Sequence, residues 1–188
     1  MLSPSYWKNW KLPTHTDCML TENYLSFLPD QCKKLVGLFL IVLSVGYFTG
    51  IGFVKNTTEF SPEGTVENYL GNESNQKAEV MKFRKSDREI LTIVHTHILS
   101  MSVIFFILAI LVYGVSIPSK IKGVLLLEPL ISVLVTFGGI YLIWLGFPEM
   151  SYVVMLSGSL MTVSFIVSVL LVFREILRKP VTNLDSLP

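Results

Sequence analysis

The chain has 188 residues, of which 51% are hydrophobic and only 15% are charged, and its net charge is +1. Soluble domains carry about 25% charged residues, so this composition excludes an ordinary soluble domain. The near-neutral charge gives no electrostatic attraction to nucleic acid, which we do not expect as a partner. The two cysteines, Cys18 and Cys32, form no pairing motif, so neither a disulfide framework nor a zinc site is predicted.

Residues 1–32 form an N-terminal segment that is polar but carries several aromatic side chains. It has no apolar stretch and no small-residue cleavage site, so we do not expect a signal peptide. Aromatic rings prefer the membrane–water interface, which leaves two interpretations, a cytoplasmic segment lying on the membrane surface or a partly ordered tail. The aromatic residues in question are Trp7, Trp10, Tyr24 and Phe27.

Four apolar runs follow, each long enough to be the helix of about 20 residues that crosses a bilayer. Backbone groups within lipid must hydrogen-bond internally, so each run is predicted to be a helix. Residues 33–179 are therefore predicted to form an all-α, four-helix transmembrane bundle with both termini on the same side, and residues 180–188 a C-terminal tail. The four runs are Leu35–Val54, Ile90–Ile117, Lys122–Phe147 and Ser151–Phe173.

The connections and their charges predict the orientation of the bundle. Residues 55–89 are expected to be a long polar loop, whereas Phe147–Met150 is a tight turn that makes the last two helices antiparallel neighbours. Lys and Arg residues accumulate on the cytoplasmic side of membrane proteins. Most cations near helix ends fall on the side of the termini, although four of them precede the second span. We therefore expect a multi-pass protein of the bacterial inner membrane with cytoplasmic termini and the 55–89 loop outside the cytoplasm.

Two histidines, His95 and His97, stand inside the second apolar run, about 8–10 Å beyond its start at 1.5 Å per residue. Ionisable residues within a span are costly, usually face the bundle interior and are functional candidates by default. Residues two apart on a helix are separated by about 200°, so one regular helix cannot bring both imidazoles to a single metal ion. His97 shares its face with Met101, whose thioether is a ligand type of haem iron and copper.

Small and polar residues concentrate at the same depth in the other runs. We interpret this pattern as a pocket for a flat cofactor or a quinone, walled by glycines and closed by aromatic rings; close helix packing is the alternative. The small residues include Gly46, Gly50, Gly52, Gly138, Gly139, Gly146, Ser151, Ser157 and Gly158, and the aromatic residues are Tyr47, Tyr141, Trp144 and Tyr152.

Glu128 is the one carboxylate well inside a predicted span, and it precedes Pro129. It falls in the leaflet opposite the histidines. Two roles are open, proton uptake toward a site in that half of the bundle, or hydrogen bonding to Ser and Thr hydroxyls or to backbone groups that Pro129 leaves free.

The segment Val94-His95-Thr96-His97-Ile98-Leu99-Ser100 resembles the H-x-H pattern of small bacterial membrane proteins that are similar to fragments of haem–copper oxidase subunit one. Thr49-Gly50-Ile51-Gly52 in the first run fits that family loosely. The resemblance implies a haem or respiratory link. Ser100-Met101-Ser102 stands where that family has a glycine, and the chain lacks the further intramembrane histidines of a complete oxidase.

Three functions are compatible with these patterns. The first is an accessory subunit of a respiratory or electron-transfer complex that binds haem b or a quinone at His97 and His95. In that case the second haem ligand would come from Met101 or from another chain. A periplasmic cytochrome would be a further partner. The second is a cofactor-free structural or assembly subunit that docks other complex subunits through residues 55–89. The third is a copper-handling protein using the histidines with Met101, Met150 and Met155. We find no motif of a soluble enzyme and do not expect catalysis by this chain alone.

Overall fold

The computed structural model describes residues 24–73, 75 and 80–178. The predictions for Trp7, Trp10 and Cys18, and for the tail 180–188, lie outside these residues. A short 3₁₀ helix, Tyr24–Phe27, precedes five α-helices, and no strand occurs in the described part of the chain. The helices are α1 Asp30–Thr58, α2 Pro62–Leu70, α3 Asp87–Tyr113, α4 Ser119–Trp144 and α5 Met150–Leu177.

Four of the described helices, α1, α3, α4 and α5, are long and apolar enough to cross a membrane. Each begins and ends within five residues of the predicted span. The prediction of an all-α, four-helix transmembrane bundle with both termini on the same side is confirmed. We call its two ends the loop end, where residues 59–73 and 80–86 lie, and the terminal end.

The bundle has a three-helix core with α1 on its outside. Helix α4 packs along both α5 and α3, whereas α1 contacts mainly α2 and α5. Only 6% of the apolar window of α1 is buried inside the protein, against 44% for α4. The main anchor of α1 is Tyr47, whose ring stacks on Phe165 of α5 at 3.9 Å between centroids and whose hydroxyl lies 3.2 Å from Oγ1 of Thr162.

The prediction that residues 55–89 form a loop throughout is wrong, because this segment includes the end of α1 and all of α2. The Oγ of Ser61 accepts a hydrogen bond from the Gly64 amide at 2.9 Å, and Pro62 occupies the first turn of α2, where no amide hydrogen is needed. Helix α2 lies against α4 and α5 and covers the loop end of the bundle.

Asn72 fastens the chain that follows α2. Its side chain is buried, donates to the Val80 carbonyl at 3.0 Å and accepts from the Lys82 backbone amide at 2.7 Å. The backbone amide of Asn72 donates to the Lys82 carbonyl at 2.8 Å. Nearby, the Arg84 amide donates to the Glu73 carboxylate and holds the pKa of Glu73 below its ordinary value. A lowered pKa means that the contribution of Glu73 to loop stability is present at neutral pH and is lost as the pH falls through that pKa.

Cationic side chains cap the carboxyl ends of three helices. Lys82 Nζ donates to the Thr57 carbonyl of α1 at 3.0 Å, and Lys122 Nζ donates to the Tyr113 carbonyl of α3 at 3.1 Å. Arg84 Nη2 donates to the Trp144 carbonyl of α4 at 2.8 Å. The last carbonyls of a helix lack intrahelical partners and carry partial negative charge, so a cation stabilises each end.

Residues 24–27 pack against the terminal end of the bundle, although the Phe27 side chain is exposed there. Leu25 is fully buried, and the Tyr24 hydroxyl donates to the Ile110 carbonyl at 2.7 Å. This close packing requires a glycine at position 114, because a Cβ added to Gly114 would lie 2.6 Å from Cε1 of Tyr24.

Candidate functional site

His97 lies on the flank of α3 that faces α4. Its Nδ1 is 2.7 Å from the carbonyl oxygen of Ile93, one turn earlier, and its ring stacks on Phe137 of α4 with centroids 5.0 Å apart. A carbonyl can only accept, so Nδ1 is the donor, and in the neutral ring Nε2 is then the acceptor nitrogen. The side chain is exposed at the surface of the bundle. It is therefore held in one orientation with an acceptor nitrogen available to a ligand or partner.

His95 faces outward on the other flank of α3 and makes no hydrogen bond, ion pair or ring contact with the described residues. It lies eight residues into α3, about 12 Å from the first residue of the helix. Thr92 and Thr96 are also exposed on this side. We call Thr92, His95 and Thr96 the outward patch of α3. The hydroxyl of Thr92 bonds to the Arg88 carbonyl of its own helix, whereas neither His95 nor Thr96 has a hydrogen-bond partner among the described residues.

The predicted enclosed pocket around the histidines is wrong, because the residues expected to form it do not converge. A Cβ added at Gly46, Gly50, Gly52, Gly138, Gly146 or Gly158 would meet open space. The space beside Gly139 is instead occupied by the side chain of Val154 of α5. Tyr141 and Trp144 stack on each other at the loop end, and Tyr152 is exposed. Close helix packing, the alternative interpretation, fits Gly139 and the buried Ser151 and Ser157, but not the six glycines that meet open space.

Met101 is half-buried and packs against the apolar core. No group of three or more His, Cys, Asp or Glu residues with metal-binding geometry occurs among the described residues. The copper and haem hypotheses therefore depend on single side chains among the described residues, chiefly His97.

Glu128 lies at the contact between α4 and α5 and bonds to two serine hydroxyls. Ser132, one turn later on α4, donates to Oε1 at 2.5 Å, and Ser164 of α5 donates to Oε2. One turn further along the same contact, Oγ1 of Thr136 and Oγ of Ser157 are 2.8 Å apart. The hydroxyl role predicted for Glu128 is confirmed, and the proton-uptake role stays a prediction.

A groove of about 680 Å³ runs beside Glu128 along the outer surface of α4 and α5. Its walls are mostly aliphatic, with Lys120 toward the terminal end and Glu128, Ser132 and Ser157 as the other polar residues. The sequence indicated Glu128 as a polar candidate inside a span. Ser132 is four residues later, a spacing that places both side chains on one face of a helix. Nothing in the sequence indicated Ser164 or the groove, since both depend on the register of α4 against α5.

A family model described as a transmembrane helical domain, Aq_1264_TM, matches residues 59–183. The chain belongs to this family. The matched region begins directly after α1 and includes α2, the three core helices, both histidines and Glu128. The family domain therefore begins where α1 ends, and it leaves out the helix that lies outside the packed core. The protein is a multi-pass membrane protein whose spans contact lipid. No curated protein and no solved structure is significantly similar to the chain.

Proposed function

We propose that this protein is an accessory, non-catalytic subunit of a membrane complex, and that the outward patch of α3 docks a transmembrane segment of another subunit. The observation that supports the proposal is the exposed imidazole of His95, which has no partner among the described residues at a depth of about 12 Å along α3. Polar side chains at such positions cost free energy against lipid and normally bond to protein or to water in a cavity.

The chemistry of the patch fits a polar helix partner. A neutral imidazole offers one donor and one acceptor, so a Ser, Thr, Asn or carboxylate side chain on a neighbouring helix satisfies it. Interhelical hydrogen bonds of this kind contribute about 0.6 kcal/mol on average and up to about 1.7 kcal/mol, which favours one register of the partner helix. In the loop-end segment, Asn72, Glu73, Lys82 and Arg84 form hydrogen bonds within the protein. Docking through residues 55–89 stays a prediction.

A photocrosslinking amino acid at two outward positions tests this function. At His95 in native membranes we expect crosslinks to one additional membrane chain, giving a discrete band of higher mass. At Leu134, which is exposed on α4 and outside the groove, we expect lipid adducts only. Identical lipid-only products at both positions would show that the outward patch of α3 has no protein partner.

A second candidate is the electron-transfer subunit that binds haem b, and the hydrogen bond of His97 favours it. Histidines that ligate metals usually donate their other ring N–H to a carbonyl or carboxylate, which fixes the tautomer and the ring orientation. His97 has this arrangement through the Ile93 carbonyl, so Nε2 is the ring nitrogen that would ligate the iron. The second axial ligand would come from another chain. A quinol hydroxyl donating to the same nitrogen is the other ligand of this hypothesis.

The haem version predicts a Soret band in the intact complex purified from native membranes. His97→Ala should abolish the band, whereas His95→Ala should retain it, because only His97 carries the orienting bond. A colourless complex, or a band that persists in His97→Ala, would contradict haem ligation by this chain. Solvent extraction of the same preparations identifies a bound quinone.

A further inference from the structure

The carboxylate of Glu128 is unusual in its depth and in its partners. It lies nine residues into α4, about 14 Å along the axis from Ser119. Its hydrogen-bond donors, Ser132 and Ser164, are neutral hydroxyls, and neither ion pair among the described residues includes it. Each carboxylate oxygen accepts more than one hydrogen bond, so Glu128 retains capacity for a further partner. No Lys or Arg side chain forms an ion pair with this carboxyl within the part of the chain that the structure describes.

The groove beside Glu128 gives that charge an approach from the membrane. Its volume, about 680 Å³, falls within the range of small-molecule sites. Both walls are aliphatic, formed by Val124, Leu127 and Ile131 of α4 and by Val153, Leu156 and Leu160 of α5. Many of these side chains are exposed, so the groove faces the lipid of the bilayer. A molecule in it therefore meets hydrocarbon surfaces, the carboxyl of Glu128 with the hydroxyls of Ser132 and Ser157, and Lys120 toward the terminal end.

We propose that this groove binds a lipophilic cation from the membrane, with Glu128 as its counterion. The class of ligand is an amphiphilic amine or quaternary onium compound whose apolar groups lie on the aliphatic walls. Charge complementarity selects this occupant, since an anion is repelled by the carboxylate and a neutral acyl chain leaves it uncompensated. Lys120 does not occupy that role, because it lies eight residues from Glu128, about 12 Å along α4, near the terminal end where the headgroups begin.

Direct binding of radiolabelled tetraphenylphosphonium to the purified full-length protein tests the proposal. In mild detergent, equilibrium dialysis should give saturable binding of one cation per chain. Unlabelled tetraphenylphosphonium should displace the label, whereas triphenylphosphine oxide, a neutral compound of similar shape, should not. Equal displacement by the neutral compound would show an apolar lipid groove without a counterion and would overturn the proposal.

Two pairs of variants locate the site. Glu128→Gln should weaken binding at least tenfold, while Glu149→Gln, at an exposed carboxylate in the tight turn, should leave it unchanged. Gly123→Phe should fill the groove and abolish binding, whereas Gly138→Phe, on the same helix but outside the groove, should not. Both glycines have open space at the Cβ position, so neither change creates a clash with the core. Unaltered binding in Glu128→Gln overturns the proposal, and if that variant does not fold, equal binding by the two Phe variants overturns it.

Discussion

Replacing Gly139 with valine is expected to destabilise the bundle by about 1–3 kcal/mol, the usual cost of overpacking a core. A Cβ at this position would lie 2.6 Å from Cγ2 of Val154, closer than real Cβ atoms approach a neighbour. Val154 is buried and β-branched, so it has few rotamers with which to move away. The clash forces α4 and α5 apart at the contact that also holds the Thr136–Ser157 hydrogen bond.

Gly138→Val is the matched control for this prediction. It makes the same change in side chain and in helix propensity one residue earlier, but its Cβ meets open space. Denaturant titration in mixed micelles, followed by tryptophan fluorescence, should show a lower free energy of unfolding for Gly139→Val alone. Equal losses in the two variants would mean that α4 and α5 are not packed in this register.

Replacing Asn72 with alanine is expected to open the segment between α2 and α3 without unfolding the bundle. The change removes the acceptor of the Lys82 amide and the donor to the Val80 carbonyl, at a site where the side chain is 7% exposed. Leaving a buried polar group unsatisfied costs about 1–3 kcal/mol. One such loss of about 1.4 kcal/mol corresponds to a tenfold change in the opening equilibrium.

Hydrogen–deuterium exchange measures this opening at the amides of Lys82 and Arg84, which should exchange at least tenfold faster in Asn72→Ala. Asn56→Ala is the control, because Asn56 is exposed at the end of α1 and makes no bond with the described residues. Unchanged protection in Asn72→Ala would show that the remaining backbone bonds hold the segment by themselves. Both asparagines begin N-x-S/T sequons, but the Asn72 amide is occupied in the fold and offers no site for a glycan.

The spans could be predicted closely because bilayer thickness and the need for internal backbone bonds leave little freedom. Helix α2 was missed although its signals were present, a serine cap followed by proline at Ser61-Pro62 and a glycine after the last residue at Gly71. The length and polarity of the segment favoured a loop over a nine-residue helix. Short helices are stabilised mainly by tertiary contacts, here with α4 and α5, which one sequence does not display.

The faces of the helices were harder to predict than their bounds. In a soluble helix the apolar side marks the core, whereas a membrane helix is apolar on the lipid side as well, so hydropathy does not distinguish the two. His95 and His97 were expected to face inward because ionisable residues are costly against lipid, but both are exposed. The bond from Ser132 to Glu128 was foreseeable from spacing within one helix, but Ser164 belongs to another helix and required the observed register.

The cap that Arg84 places on α4 has a consequence for the order in which the protein is built. Arg84 precedes α3, but the carbonyl that it binds lies 60 residues later, and the indole of Trp144 in turn donates to the Lys85 carbonyl. These bonds can form only after α4 has entered the membrane and its carboxyl end has reached the loop end. The segment before α3 therefore closes late during synthesis, and its closed state reports that α4 has been inserted.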